Sequence, residues 1–148
     1  MEGHCPSAYP SVMIVCCLKQ PMYDDFHVTD RWSKKNLHCM YQALIVAIAT
    51  RHADAIDIKF LADGRPVWIA LPHVAWVEYN RLTGHVITDP LAVQAAGHYL
   101  KAAIESGLDN GREMYTLSVD ETLRHVHDVL VEFKAPANVI PKLEAAPA

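Results

Sequence analysis

The sequence lacks a hydrophobic run long enough to cross a membrane. The longest apolar stretch covers residues 43–49 (ALIVAIA), whereas a spanning helix needs roughly 20 apolar residues. Residues 11–18 (SVMIVCCL) are similar to a signal-peptide core, but no Lys or Arg precedes them and no small-residue cleavage pattern follows. We therefore expect no membrane association and a cytoplasmic location, where disulfides are rare.

The sequence also lacks an excess of basic charge. It has 13 Lys and Arg against 17 Asp and Glu, a net charge of −4 at pH 7. Broad contact with nucleic-acid phosphates needs a basic surface, and the only basic cluster is Arg31, Lys34 and Lys35. We interpret this cluster as a solvated stretch and expect no nucleic-acid partner.

The sequence motifs of common catalytic sites are absent. There is no glycine-rich dinucleotide loop, no phosphate-binding P-loop, no G-x-S-x-G and no H-E-x-x-H. The composition, 51% hydrophobic and 20% charged, is typical of a globular domain rather than of a disordered chain. A chain of 148 residues can bury about two-thirds of its unfolded surface, so we expect folding without metal or disulfides.

Three zones differ in pattern along the chain. Residues 1–31 contain three prolines and no sustained period, and we predict an irregular N-terminal segment. Residues 32–133 carry clear patterns of strands and helices, and we predict a single α+β domain there. Residues 134–148 mix prolines with alanines, a composition that predicts a flexible C-terminal tail.

The clearest pattern is a β-hairpin over about residues 56–71 (IDIKFLADGRPVWIAL). Asp63-Gly64 is a pair typical of a two-residue type I′ turn. The register that such a turn imposes puts six large apolar side chains on one face: Ile56, Ile58, Phe60, Val67, Ile69 and Leu71. On the other face, Lys59 lies opposite Trp68, which allows a cation–π contact.

Helical patterns follow the hairpin. Residues 72–83 begin with proline and precede a glycine, which favours a short helix, with a third strand as the alternative. A longer helix is predicted to be capped by Asp89 and to end at Gly107. Ser118 and Glu121 have the spacing of a capping box and predict a further helix.

Three other segments complete the sequence interpretation. Residues 34–51 have apolar residues at helical spacing and predict a helix, although a buried strand is the alternative; these residues are Leu37, Tyr41, Leu44 and Ile48. Residues 85–88 and 113–117 predict two brief strands.

Together these elements predict an α+β fold. We expect a small antiparallel sheet of two to four strands, built on the hairpin and packed against two to three α-helices in a two-layer sandwich. A sheet this small leaves an edge that a second copy of the chain can cover. We therefore expect a homodimer.

All four cysteines lie in the first 39 residues. Zinc sites favour Cys-x₂₋₄-Cys or His-x₃₋₅-His spacing, but here the residues are adjacent pairs whose side chains diverge. One member of each pair can still bind, so the candidate metal ligands are Cys5, Cys16, Cys17, His27, His38 and Cys39. The preferred interpretation is reduced cysteines that pack as small hydrophobic residues. We expect no cofactor, with zinc as the alternative.

A histidine–carboxylate pair in connecting segments can perform general acid–base chemistry. The weak candidates for such a catalytic site are His73, Glu78, His85 and Asp89. Nothing in their spacing fixes their geometry, so we prefer roles in loops and helix caps. We also expect His125 on the polar face of its helix, pointing away from His127, and His98 as a packed or rim residue.

The favoured functional hypothesis is a non-catalytic protein-interaction or regulatory module that self-associates. Trp68 and Lys59, on the outer face of the hairpin, are the expected interface residues because aromatic side chains are favoured in interface cores. The alternative hypothesis is a small metal-dependent enzyme or zinc-binding protein. It would use the N-terminal Cys and His residues or the loop over residues 73–89.

Overall fold

The computed structural model describes residues 22–47, 55–108 and 111–143. Within these ranges the chain forms five strands and three helices, which confirms the predicted α+β fold. In chain order they are β1 (Asp25–Thr29), β2 (Asn36–Ala47), β3 (Ala55–Ala62), β4 (Arg65–Pro72), α1 (Val74–Thr83), α2 (Asp89–Ser106), β5 (Met114–Thr116) and α3 (Val119–Glu132).

The five strands form one sheet in the order β1-β2-β3-β4-β5. Strands β1 to β4 are antiparallel neighbours, but β5 runs parallel to β4. The sheet is therefore mixed rather than purely antiparallel as predicted. The cause is the connection, because α1 and α2 return the chain to the starting end of β4, which a tight turn cannot do.

The hairpin of β3 and β4 has the predicted register. Phe60 pairs with Val67 and Lys59 pairs with Trp68. The ammonium nitrogen of Lys59 lies 5.7 Å from the centroid of the Trp68 ring. The turn residues have φ angles of 53° and 84°, as the two central residues of a type I′ turn require.

The three helices that follow the hairpin are confirmed, with one change of cap. The Ser118 hydroxyl accepts the Glu121 N–H at 3.1 Å and starts α3 as predicted. The cap of α2 is Thr88, whose hydroxyl accepts the Leu91 N–H, so Asp89 lies in the first turn instead. The brief strand predicted at residues 85–88 is absent, because this segment leads directly into the cap.

Strand β2 occupies much of the segment that the spacing of Leu37, Tyr41 and Leu44 predicts to be a helix, so that prediction is wrong. The register shifts between Tyr41 and Ala43, which leaves Gln42 as the extra residue of a β-bulge. The bulge moves the inward-facing positions from odd numbers before it to even numbers after it. The four- and three-residue intervals between apolar residues therefore come from a bulged strand.

Both ends of the described chain are more ordered than predicted. Strand β1 lies in the segment predicted to be irregular, because it completes its hydrogen bonds on β2. In the segment predicted to be a flexible tail, Pro141 is fully buried and the Val139 carbonyl accepts the Tyr79 hydroxyl at 2.6 Å. Residues 1–21 and 144–148 lie outside the described residues.

The core lies between the inner face of the sheet and the helices. It contains the six predicted inward-facing side chains of the hairpin, which are 0–6% exposed. Helix α2 contributes four buried alanines, whose small side chains let it approach closely: Ala92, Ala95, Ala96 and Ala103. None of the described helices is long and apolar enough to span a membrane.

Candidate functional site

The outer face of the sheet is the side opposite the helices. In the described part of the chain, its side chains form three rows that run across neighbouring strands. The rows are Met40, Leu61 and Pro66; then Ala43, Lys59, Trp68 and Met114; then Ile45, Asp57, Ala70 and Thr116. Most of these side chains are apolar, so the three rows form an apolar surface with two charged residues.

Apart from Ala70, which is buried, the apolar side chains of the outer face are at least partly accessible. Met40, Ile45 and Met114 are 40%, 49% and 49% exposed, and Trp68 and Leu61 are partly exposed. Strand spacing of about 4.8 Å and a rise of about 3.4 Å per residue give the three rows an extent of roughly 20 Å by 20 Å, including side chains. This extent of roughly 400 Å², charged and polar side chains included, is comparable in size to the contiguous apolar patches that often have a function on monomers.

The two charged residues within the three rows belong to the same strand. Asp57 and Lys59 are two residues apart on β3 and therefore share a face. Burial raises the pKa of the Asp57 carboxyl above its ordinary value, since its row neighbours Ile45 and Ala70 offer it little polar contact. Lys59 lies over the Trp68 ring, so the predicted cation–π contact is present.

The candidate metal ligands that the structure describes do not form one site. His27 and His38 lie on the outer face of β1 and β2 with their rings stacked 4.5 Å apart, whereas Cys39 is buried on the inner face. His38 Nε2 lies 2.5 Å from Asp25 Oδ1. Across the described ranges, no three His, Cys, Asp or Glu side chains are arranged to hold a metal ion. The candidates Cys5, Cys16 and Cys17 lie outside these ranges.

The predicted catalytic candidates are not brought together. His73 precedes α1 and stacks on Trp76, and Glu78 pairs with Arg81 on the same helix. His85 and Asp89 are exposed in the connection to α2 and in its first turn. Among the described residues, no hydrogen bond or ion pair joins any two of these four side chains. Neither His73 nor Asp89 caps a helix with its side chain.

A different cluster of titratable side chains lies where α2 and α3 meet. His125 is partly buried rather than on the polar face of α3, and its Nδ1 lies 2.7 Å from Nδ1 of His98. His98 Nε2 lies 3.4 Å from Glu132 Oε1, and the Tyr23 hydroxyl donates to Glu132 Oε2 at 2.5 Å. The seven-residue interval between His125 and Glu132 places both on one helix face, but their partners come from elsewhere in the chain.

An open groove lies between the turns that join β1 to β2 and β3 to β4. Its lining includes Trp32, Lys35 and Arg65. Two of its charged groups are already bonded within the chain. Asp30 accepts hydrogen bonds from the Ser33 hydroxyl and the Trp32 N–H, which lower the pKa of its carboxyl, and Arg65 donates to the Arg112 carbonyl.

Comparison with known proteins found no matching family model, no matching curated protein and no matching solved structure. The functional interpretation rests on the chemistry of the chain itself. Among the described residues, the outer face of the sheet offers an exposed apolar surface that runs across several strands.

Proposed function

We propose that this chain is a non-catalytic protein-interaction module that forms a homodimer through the outer face of its sheet. The observation that carries the proposal is the set of three apolar cross-strand rows on the face that none of the described helices covers. Burying such a surface removes apolar area from water, which favours association. A cytoplasmic location stays a prediction.

A second copy of the chain fits this surface because the surface is self-complementary. In a two-fold symmetric dimer the same patch contributes from both sides. Asp57 and Lys59 are side by side in the middle strand of the apolar rows. A two-fold axis near them would place each Asp57 opposite Lys59 of the second copy, so that both charges are paired when the surface loses water.

The apolar rows would form the centre of the interface rather than all of it. A typical dimer buries about 800 Å² on each partner, about twice the roughly 400 Å² that the three rows cover. The remaining contact would come from the polar side chains that continue the face on β1 and β2, which are Asp25, His27 and His38. An apolar centre with a polar rim is the usual arrangement of such interfaces.

The first test replaces the largest side chain of the outer face. Trp68→Ala is expected to raise the dimer dissociation constant at least 30-fold, about 2 kcal/mol, which is typical of a central aromatic residue. Sedimentation equilibrium across a dilution series measures that constant. The matched control is Trp32→Ala, because Trp32 lies against Gly107 on the helix side and should leave the dissociation constant unchanged.

An unchanged subunit count with a sharp loss of thermal stability in Trp68→Ala would contradict the proposal. That outcome would show that Trp68 packs only within one subunit. A monomeric wild-type protein at all concentrations would contradict it as well.

The second test uses the charges and is specific for a two-fold dimer. Asp57→Lys places two positive charges on each copy, and we expect it to abolish the dimer by like-charge repulsion. The double variant Asp57→Lys/Lys59→Asp restores one charge of each sign and should recover association at least in part. Equal association of both variants would contradict the proposed pairing.

A further inference from the structure

Four titratable side chains form a continuous chain of contacts at the junction of α2 and α3. We name this chain of Tyr23, Glu132, His98 and His125 the proton network. Its contacts are 2.5 Å from Tyr23 to Glu132, 3.4 Å from Glu132 to His98 and 2.7 Å from His98 to His125. It connects the residues before β1 to both long helices, on the opposite side of the sheet from the outer face.

The contact between the two histidines limits how many protons the network can hold. Each contributes Nδ1 to the 2.7 Å contact, so one nitrogen must donate and the other must accept. When both rings are neutral, His98 donates its Nε2–H to Glu132 and accepts the Nδ1–H of His125. One added proton can be held on His98, provided that Nδ1 of His125 then accepts the hydrogen bond. A second added proton would place an N–H group on each side of the contact and leave no acceptor.

We propose that the proton network is an acid-sensitive latch that holds α2, α3 and the chain before β1 together only while at least one of the two histidines stays neutral. At acidic pH, a proton on His125 in addition to one on His98 would leave their contact without an acceptor and separate the two helices there. This inference goes beyond the proposed interaction function and does not depend on it.

The chain before β1 is attached to the helices through Tyr23. Its backbone N–H donates to the Gln94 side chain at 2.7 Å, and its hydroxyl donates to Glu132. Burial, followed by the hydrogen bond and the charge of Glu132, raises the pKa of the Tyr23 phenol. The phenol therefore remains a donor across the acidic range, and the change that opens the latch takes place at the histidines.

Other charged groups around the proton network raise or lower the pKa values of its members. Burial is the largest cause that lowers the pKa of His125 to about 4, followed by His98; Asp128 acts to raise it and Arg124 to lower it. From α2, the Tyr99 ring also contacts the His125 ring edge to face at 5.4 Å. At the other end, Lys101 lies over the Tyr23 ring, and Glu105 acts with Glu132 to raise the Tyr23 pKa.

The direction of the pH effect follows from linkage. The pKa of His125 is about 4 in the folded chain, against an ordinary value of 6.5, so the unfolded chain takes up a proton first as the pH falls. The stabilising effect is complete above pH 6.5 and is lost between pH 6.5 and 4. The equilibrium constant for unfolding should rise by up to tenfold per pH unit across that window, and by less where solvent reaches the ring.

The test compares urea unfolding of the full chain at pH 7.0 and pH 4.5, at one protein concentration. In the wild type we expect the unfolding constant to rise by roughly ten- to 100-fold through this site. His125→Gln keeps a polar side chain but cannot take up the proton. The unfolding constant of this variant should therefore rise less than that of the wild type, by the same ten- to 100-fold factor. The control His127→Gln lies on the same helix, beside Asp128, and should behave as the wild type.

The same pH dependence in His125→Gln and the wild type would overturn the inference. If the variant does not fold, nitrogen-15 chemical shifts of the imidazole rings in the wild type give a second measurement. At pH 5.0 His125 should be neutral and share one proton with His98 between their Nδ1 atoms. Protonation of His125 with a midpoint near pH 6.5 would overturn the inference by this route.

Discussion

At the scale of single residues, the tightest contact among the described glycines is at Gly97. This residue lies inside α2, facing the backbone of Tyr23. A Cβ atom added at position 97 would overlap the carbonyl oxygen of Tyr23. The glycine therefore lets the chain before β1 lie directly on α2, which also brings the Tyr23 N–H to Gln94.

Gly97→Ala should destabilise the protein, contrary to the usual effect of this change in a helix. Alanine favours a helix over glycine by about 1 kcal/mol, but overpacking against the rigid Tyr23 backbone typically costs about 1–3 kcal/mol. We expect a net loss of about 1–2 kcal/mol in the free energy of unfolding, measured with urea. A variant as stable as the wild type would show that the chain before β1 is not held against α2.

The close approach of Tyr23 to α2 also explains why His98 and Glu132 could not be paired from the sequence. His98 follows Gly97 directly, and its ring packs edge to face on Tyr23 at 5.1 Å. Each of these residue types occurs commonly in polar positions. Their arrangement depends on a backbone approach that only the folded chain shows.

At the scale of elements, the helices begin where local hydrogen bonds allow them to begin. The Ser118 hydroxyl accepts the N–H of Glu121 and donates to its carboxylate. These groups are three residues apart and meet in any chain that turns into a helix at this point. For that reason the start of α3 could be predicted from the sequence.

Ser118→Ala should lower the free energy of unfolding by about 1 kcal/mol, because it leaves the first N–H groups of α3 without an acceptor. Ser106→Ala is a suitable control, since Ser106 is exposed in the last turn of α2 and bonds only the Ala103 carbonyl. The control should change stability by less than about 0.5 kcal/mol. Thermal or urea unfolding compares the two, and equal losses would contradict the capping role.

The bulge in β2 shows the limit of element prediction from the sequence. A single extra residue, Gln42, shifts the alternation of the strand. A periodic pattern with such a shift cannot be told from a helical one by counting intervals. The strand is decided by its neighbours, because β1 and β3 supply partners on both of its sides.

At the scale of the whole molecule, the chain after α3 closes the core. Ala135, Val139, Ile140 and Leu143 pack against the core cluster, together with the buried Pro141. The Tyr79 hydroxyl of α1 donates to the Val139 carbonyl. Residues 135–143 therefore belong to the folded domain.

Removing the chain from residue 135 onward should lower the free energy of unfolding by on the order of 3–5 kcal/mol, since apolar side chains lose their burial. Tyr79→Phe in the full chain should cost about 1 kcal/mol through the lost hydrogen bond. The same substitution in the shortened chain should cost nothing, because its acceptor is gone. A shortened chain as stable as the full one would contradict this assignment.

The sequence by itself determined the features that depend on neighbours in the chain. These are the hairpin register, the start of α3, the end of α2 at Gly107, and the outer position of Lys59 and Trp68. Turn chemistry, capping and the two-residue alternation of a strand act over a few residues, so the pattern of residues is enough to predict them.

Only the tertiary structure decided what depends on distant residues. In the folded chain the bulged segment is strand β2, and part of the segment predicted to be irregular is strand β1. Strand β5 lies parallel to β4. The tertiary structure also separated the candidate catalytic residues and joined His98, His125, Glu132 and Tyr23 instead. The physical reason is that strand pairing and helix packing select among many local patterns by burial and hydrogen bonding, which the order of residues alone does not reveal.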